Sequence, residues 1–394
     1  MAAPARSAVA KPQPAYFVDQ KKGEVNELKA LLRNQAVERD PRRKREVVKK
    51  VIAYMTLGFD VSRLFSEMVM ASSTADIIMK KMCYLFLSNY AASNEELATL
   101  CINTMTKDCQ DSDPLVRGLA LRSLSSLRLA STLEYLLPVL HRGLSDNSAY
   151  VRRNAVMAVL KLYDLDKSAV KESGMVDTLR ERIRDRDAQV SASSLMVLGE
   201  VLLDEGGVIP DKDLIVHLLN RIREFNEWGQ CTVLGLVVKY RPESQEETFA
   251  IMNIIDGCLR VANSAVVLAA AKCFLRYADM MRSLKDQIYL RLKQPMLTLM
   301  ASPSHEIRFS VLKHVDIMVS RCPGVFDDQF KQFYCHFNEP THVKFVKLHI
   351  LPELTNEENV YELVQELSEY VDDVDASIAK RAIEAFGRIA VKMP

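Results

Sequence analysis

The sequence predicts an all-α protein built as a solenoid of two-helix repeats. Three observations support this class: a motif that recurs every 35 to 40 residues, apolar positions that follow the period of a helix, and a content of only 13 Gly and 14 Pro in 394 residues. An all-β protein would need turn residues at shorter intervals. Because a period of this length is typical of HEAT and armadillo arrays, we expect a right-handed superhelical α-solenoid of HEAT/armadillo-type repeats.

The recurring motif is a polar turn followed by an apolar anchor residue and a helical stretch, as in DSDPLVRGLALRSL (111–124) and DNSAYVRRNAVMAVL (146–160). The eight anchors are Val116, Val151, Val190, Trp228, Val267, Ile307, Val343 and Ile378. Subtraction of consecutive numbers gives steps of 35, 39, 38, 39, 40, 36 and 35 residues. Each step therefore fits one two-helix repeat.

The helical phase can be followed from each anchor. The residue eight positions later is always apolar, and the residue four positions later is mostly small, with Lys347 as an exception that weakens the seventh motif. These positions share one stripe of a helix, so small residues allow close packing. Asp, Asn and Ser in the turns are expected to cap the helices. Arg117, Arg152 and Arg308 follow their anchors, and we expect them to pair with turn Asp residues of adjacent repeats.

The chain divides into a leader and a trunk. Residues 1–21 are expected to form a disordered or extended leader, and residues 22–394 a trunk of about ten two-helix repeats. In the first part of the trunk, the sequence pattern predicts helices at 23–34, 42–54, 61–70, 77–90 and 95–107. Apolar residues remain frequent to the end, where a solenoid normally has a polar cap. We therefore expect a trunk that is truncated or that continues against a partner.

The composition argues against several classes of protein. The 52 Lys and Arg nearly balance the 51 Asp and Glu, which argues against a dedicated nucleic-acid binder. No window approaches the apolar length of a membrane span. The eight Cys form no CxxC pair, which indicates reduced, mostly buried thiols in the cytosol.

Residues 39–50 are unusually basic. On a helix that starts near Pro41, Arg42, Arg45 and Lys49 share one face and Lys50 lies beside them. One interpretation is a solvated helix face. The other is contact with an anionic membrane surface, worth ~1 kcal/mol per Lys or Arg. The candidate membrane-facing patch is Arg42, Arg43, Lys44, Arg45, Lys49 and Lys50.

We find no catalytic or phosphate-binding motif, so we expect neither an enzyme nor a cofactor. The late cluster of Cys335, His336, His342 and His349 lacks the paired close spacing of structural zinc. Histidines on helix surfaces and in turns are the better interpretation, and we expect no metal site.

Several segments resemble the N-terminal trunk of β-type adaptins, from about residue 16 to the chain end. They include YF-x3-KKGE-x2-ELK (16–29), VKKVIAYMTLGFDVS (48–62), KKMCYLFLSNY (80–90) and NTMTKDCQDSDPLVRGLALRSL (103–124). Within that family, NRIREFNEWGQC (220–231) and FYCHFNEPTHVKFVKLHIL (333–351) are most similar to the β subunit of adaptor protein complex 4. The leader is more similar to β subunits of the clathrin-linked first and second complexes.

The resemblance implies a subunit of a heterotetrameric coat that sorts cargo at the trans-Golgi network. Its implied partners are a second large, a medium and a small adaptor subunit, an Arf-family GTPase and anionic lipid, without nucleic acid. It implies a cytoplasmic protein, peripheral on Golgi or coated-vesicle membranes. It also implies that Tyr16 and Phe17 contact a partner subunit, although the residues alone equally fit a loosely packed leader, and that the basic helix faces lipid. A different HEAT scaffold, such as a phosphatase regulator or transport receptor, remains the alternative.

Overall fold

The computed structural model describes residues 24–393, apart from the side chain of Ala130. This part of the chain is helical and contains no β-strand. It divides into two compact units with a boundary after residue 175. The predicted all-α class is confirmed.

Between residue 24 and the unit boundary, the first unit contains ten α-helices. They are α1 (Glu24–Arg33), α2 (Gln35–Glu38), α3 (Pro41–Thr56), α4 (Phe65–Ser72), α5 (Ile77–Tyr90), α6 (Glu95–Asp108), α7 (Pro114–Leu124), α8 (Leu133–Leu144), α9 (Ala149–Leu165) and α10 (Lys167–Glu172). Every helix predicted between residues 22 and 110 is present, and the short α2 and a 3₁₀ helix, Ala91–Ser93, are additional.

Helices of the first unit form two rows. One row is α1, α4, α6 and α8, and the other is α3, α5, α7 and α9. Each helix packs on the next member of its own row and on its partner across the rows. The unit is therefore a solenoid of four helix pairs, which agrees with the predicted repeat.

The second unit continues the numbering, and its first helix begins at the last residue of the first unit. Its helices are α11 (Met175–Arg182), α12 (Ala188–Val201), α13 (Lys212–Asn220), α14 (Glu227–Lys239), α15 (Gln245–Ile255), α16 (Ser264–Ala278), α17 (Lys285–Met300), α18 (His305–Arg321), α19 (Thr341–Ile350), α20 (Val360–Val371) and α21 (Ala376–Lys392). A 3₁₀ helix, Asp327–Phe333, stands before α19 where the other repeats have an α-helix.

The second unit has the same organisation as the first. Helices α12, α14, α16, α18, α19 and α21 pack successively along one row. Helices α13, α15, α17 and α20 pack against α14, α16, α18 and α21 respectively. Each repeat thus buries one apolar face on its neighbours, as in other α-solenoids.

Side-chain caps fix where the row helices begin. The capping residues, whose side chains accept backbone amides of the first turn, are Asp40, Asp76, Asp113, Asp187, Asn226, Asn263, Ser304 and Asp375. Each cap satisfies an amide that has no partner within its helix. The predicted capping role of the polar turns is confirmed at these positions.

The apolar stripe is confirmed in most repeats. Small residues at its centre are buried at Ala120, Ala155, Ser194, Ala271 and Ala382.

The predicted anchor Trp228 is wrong as a core position, because its side chain is 84% exposed. Asn226 caps α14, and the buried stripe starts one residue later than predicted, at Gly229 and Val233. A Cβ at Gly229 would lie 3.1 Å from Ala192 and Phe225, so the close approach explains the glycine.

Candidate functional site

The basic segment begins α3 and is positioned by a helix cap. Asp40 accepts hydrogen bonds from the backbone amides of Arg42 and Arg43 at 3.0 and 3.3 Å. Pro41 occupies the first helical position, where no amide is needed. Arg42 and Arg43 are exposed, as is Lys50 two turns later. No ion pair of these three side chains is found among the described residues, and we call them the α3 basic face.

The other three residues of the predicted patch have acidic partners. Lys44 lies 3.2 Å from Glu38, and Lys49 lies 3.0 Å from the glutamate three residues before it. The half-buried Arg45 donates through Nε to Oδ2 of Asp76 at 2.7 Å. Since Asp76 caps α5, Arg45 links α3 to the start of the next helix in its row.

The Arg45–Asp76 contact is the first of three similar ion pairs in the first unit. Lys80 at the start of α5 pairs with Asp108, and Arg117 at the start of α7 pairs with Asp146. The last contact is bidentate, with two nitrogen–oxygen distances of 2.9 Å. The expected pairing of Arg117 with a turn Asp is confirmed. We call this series the ion-pair ladder.

The ladder also occurs in the second unit. Arg308 at the start of α18 lies 2.6 Å from Glu339, and Lys344 at the start of α19 lies 3.5 Å from Asp373. The expected partner of Arg308 is therefore a glutamate instead of an aspartate. Arg152 in the first unit donates to two backbone carbonyls of its own preceding turn at 2.9 and 3.0 Å.

Glu339 is the centre of a buried charge cluster. It accepts hydrogen bonds from Arg308, from the Lys347 ammonium at 2.8 Å to each oxygen, and from the backbone amide of His336 at 3.1 Å. Burial raises the pKa of the Glu339 carboxyl, but these donors outweigh burial and hold its pKa below the usual range.

Lys347 does not weaken its repeat in the way the sequence suggested, because its side chain is buried and fully bonded. Besides the two oxygens of Glu339, its ammonium donates to the backbone carbonyl of Tyr334 at 2.8 Å. The middle of the apolar stripe is thus occupied here by a buried ion pair. Removal of one partner of such a pair lowers stability strongly, because the other charge stays buried without compensation.

The cysteines and histidines do not form a reactive constellation in the described part of the chain. All eight cysteines are free thiols, and burial raises the pKa of Cys83 and of Cys273 to about 12. These two are protonated at neutral pH and are therefore poor nucleophiles. Among residues 24–393, no three His, Cys, Asp or Glu side chains group in a way that could hold a metal ion.

The candidate partner contacts Tyr16 and Phe17 lie outside the described residues. Within residues 24–393, no helix combines the length and the apolar character that a membrane span requires.

Residues 20–394 match the family model described as the adaptin N terminal region. Beta-adaptin-like protein A of Arabidopsis thaliana is 46% identical over 385 residues, which cover 94% of this chain and 46% of that protein. AP-4 complex subunit beta-1 of Mus musculus is 41% identical over 93% of this chain and 50% of its own length. AP-1 complex subunit beta-1 of Mus musculus is 35% identical over 96% of this chain and 40% of its own length.

The chain thus spans about half or less of the length of these curated relatives. Among solved structures, a homology model of the full-length AP-3 complex in an intermediate open conformation superposes with a TM-score of 0.61. It is 21% identical, covers 94% of this chain and 65% of its own, and shows the shared fold. The match to the family model extends over nearly all of the sequence, and the chain belongs to the adaptin family.

Proposed function

We propose that this protein is the large β subunit of a heterotetrameric adaptor coat complex and acts as a scaffold for vesicle-mediated transport and cargo sorting. The observation that carries this proposal is the match of residues 20–394 to the adaptin N-terminal region. The relative named AP-4 complex subunit beta-1 is 41% identical to this chain, against 35% for AP-1 complex subunit beta-1. We therefore favour an AP-4-type complex at the trans-Golgi network.

In this proposal the protein works by binding and not by catalysis. A solenoid exposes a helix row along each repeat, which provides long surfaces for other chains. The proposed partners are a second large, a medium and a small adaptor subunit, together with an Arf-family GTPase. The assembled complex would sit peripherally on the cytoplasmic side of Golgi or vesicle membranes.

The α3 basic face is the proposed contact with anionic lipid. Arg42 and Arg43 lie in the first turn of α3, which contains no acidic residue. Positive charges at the N-terminus of a helix interact unfavourably with the helix dipole. Arg42 and Arg43 therefore do not stabilise α3 from this position. Near an anionic membrane each exposed cation contributes about 1 kcal/mol, so the face adds to other contacts of the complex.

Affinity purification of the protein from native cells, with identification of its partners, tests the assignment. We expect co-purification of a second large, a medium and a small adaptor subunit. A solitary monomer, or recovery of a phosphatase or a cargo-import receptor without adaptor subunits, would contradict it.

Charge reversal tests the lipid contact separately. In the assembled complex, Arg42→Glu with Arg43→Glu should weaken binding to phosphatidylserine vesicles by at least about thirtyfold, since loss of the two cations alone removes ~2 kcal/mol. The matched control is Arg241→Glu with Arg282→Glu, because both arginines are exposed and lie outside α3. Equal vesicle binding by the α3 variant and the control would exclude a lipid contact at this face.

A further inference from the structure

The second unit contains an open groove between three consecutive row helices, α14, α16 and α18. Its volume is about 480 Å³. Its apolar lining, which we call the floor, includes Val238 at the end of α14 and Leu268 and Ala269 on α16. These three side chains are only half-buried, and the rim adds Ile317 of α18, which is 43% exposed. The groove therefore presents apolar surface to solvent.

The rim of the groove is positively charged. Lys272 and Arg276 lie one helical turn apart on α16, and both side chains are exposed. Neither forms an ion pair with any residue in the described ranges. The remaining charges compensate one another, because Arg321 lies 3.2 Å from Asp279. Lys272 and Arg276 thus leave an excess of about two positive charges beside an apolar floor.

We propose that this groove binds an acidic amphipathic segment of a partner protein. Apolar side chains of the segment would cover the floor, while Asp or Glu side chains would pair with Lys272 and Arg276. Charge complementarity selects an acidic partner, and a cleft lined by one sign of charge concentrates the field on such a ligand. A helical peptide laid in a groove satisfies both requirements at once.

A polypeptide fits these features better than a membrane or a small anion. A flat lipid surface would meet the two cations but would not enter the groove to cover its apolar lining. A free anion would use the charges and none of the apolar surface. The proposal concerns residues distant in sequence from the α3 basic face, and it holds whether or not the protein belongs to an AP-4-type complex.

Site-specific photocrosslinking in cells identifies the occupant. The full chain carries p-benzoylphenylalanine in place of Ile317, and the crosslinked peptide is identified by mass spectrometry. We expect a peptide that combines apolar residues with a net negative charge. Crosslinks only to lipid, only to a second copy of this chain, to a peptide without acidic residues, or to no protein would overturn the proposal.

Charge reversal then tests the pairing. Lys272→Glu with Arg276→Glu should lower the crosslinking yield at least about tenfold, whereas Arg241→Glu with Arg282→Glu should leave it unchanged. Changing the acidic residues of the captured peptide to Lys should restore crosslinking to the Lys272→Glu, Arg276→Glu variant. Circular dichroism verifies that both variants keep the helical fold. An unchanged yield on reversal, or failure of the swapped peptide to restore it, would refute the proposed pairing.

Discussion

The buried charge cluster of the second unit makes a quantitative prediction about stability. Glu339→Ala removes the only acidic partner that the structure shows for Lys347, whose side chain is 2% exposed. The same substitution takes one partner from Arg308. The Lys347 ammonium would keep its hydrogen bond to the Tyr334 carbonyl but would lose both contacts to the carboxylate.

Removal of one member of a buried pair typically costs 3–5 kcal/mol, because the other charge remains away from water. We therefore expect Glu339→Ala to destabilise α19 by roughly that amount. Lys347→Met keeps the volume and leaves Glu339 paired with Arg308, so we expect a loss of only about 1–2 kcal/mol. The double variant, Glu339→Ala with Lys347→Met, no longer contains a buried unpaired lysine. In it, α19 should be more stable than in Glu339→Ala alone.

Amide hydrogen exchange in α19 is the suitable assay, because repeat arrays open locally and a single unfolding free energy is poorly defined. A loss of 3–5 kcal/mol corresponds to exchange faster by about a hundredfold to several thousandfold. Global circular dichroism provides the control for the remaining repeats. An acceleration below tenfold in Glu339→Ala would contradict a buried ion pair of this strength, as would a double variant whose loss equals the sum of the two single losses.

Three further predictions concern other contacts. Gly143→Ala should destabilise the first unit by about 1–2 kcal/mol, since the new Cβ would lie 2.7 Å from a buried leucine, whereas Gly235→Ala, which meets nothing within 4 Å, should stabilise its helix by about 1 kcal/mol. Amide exchange in α8 and in α14 compares these two variants, and an equal effect of both would contradict steric crowding at Gly143. Asp146→Ala should lower the local stability at the start of α9 by roughly 2 kcal/mol, because Arg117 loses its bidentate partner. Faster amide exchange there measures this loss, and a change under about 0.5 kcal/mol would contradict it. Because the folded-state pKa of Glu339 lies below its ordinary value of 4.5, its stabilising effect is present at neutral pH and is lost as pH falls below that value. Protection of the α19 amides, measured relative to their intrinsic exchange rate at each pH, should therefore fall in acid more than in Glu339→Gln.

The repeat architecture was predictable because its signals are local and repeated. Capping residues such as Asp113 and Asp187 stand three residues before a buried valine, and the pattern recurs along the chain. Each repeat therefore confirms the phase of the others. Trp228 was misplaced because its repeat has a glycine, Gly229, where the others have a branched apolar residue, so the wrong neighbour was taken as the anchor.

The candidate surfaces were less predictable, because charge pairing across helices is not visible in one segment. Arg45 shares a helix face with Lys49 in the sequence, yet its partner Asp76 lies 31 residues away. Lys272 and Arg276, the two charged residues of the groove, belong to no recognisable motif in the sequence. They become a site only when α14 and α18 bring apolar residues beside them, which local composition cannot indicate.

The ion-pair ladder bears on how the chain acquires its fold during synthesis. Its three rungs in the first unit join residues 31, 28 and 29 positions apart. A rung can therefore close as soon as the next repeat has left the ribosome, without waiting for distant parts of the chain. Such short separations favour rapid, stepwise folding from the amino terminus. The acidic side chain in each turn then holds the most recently folded helix pair against the pair before it.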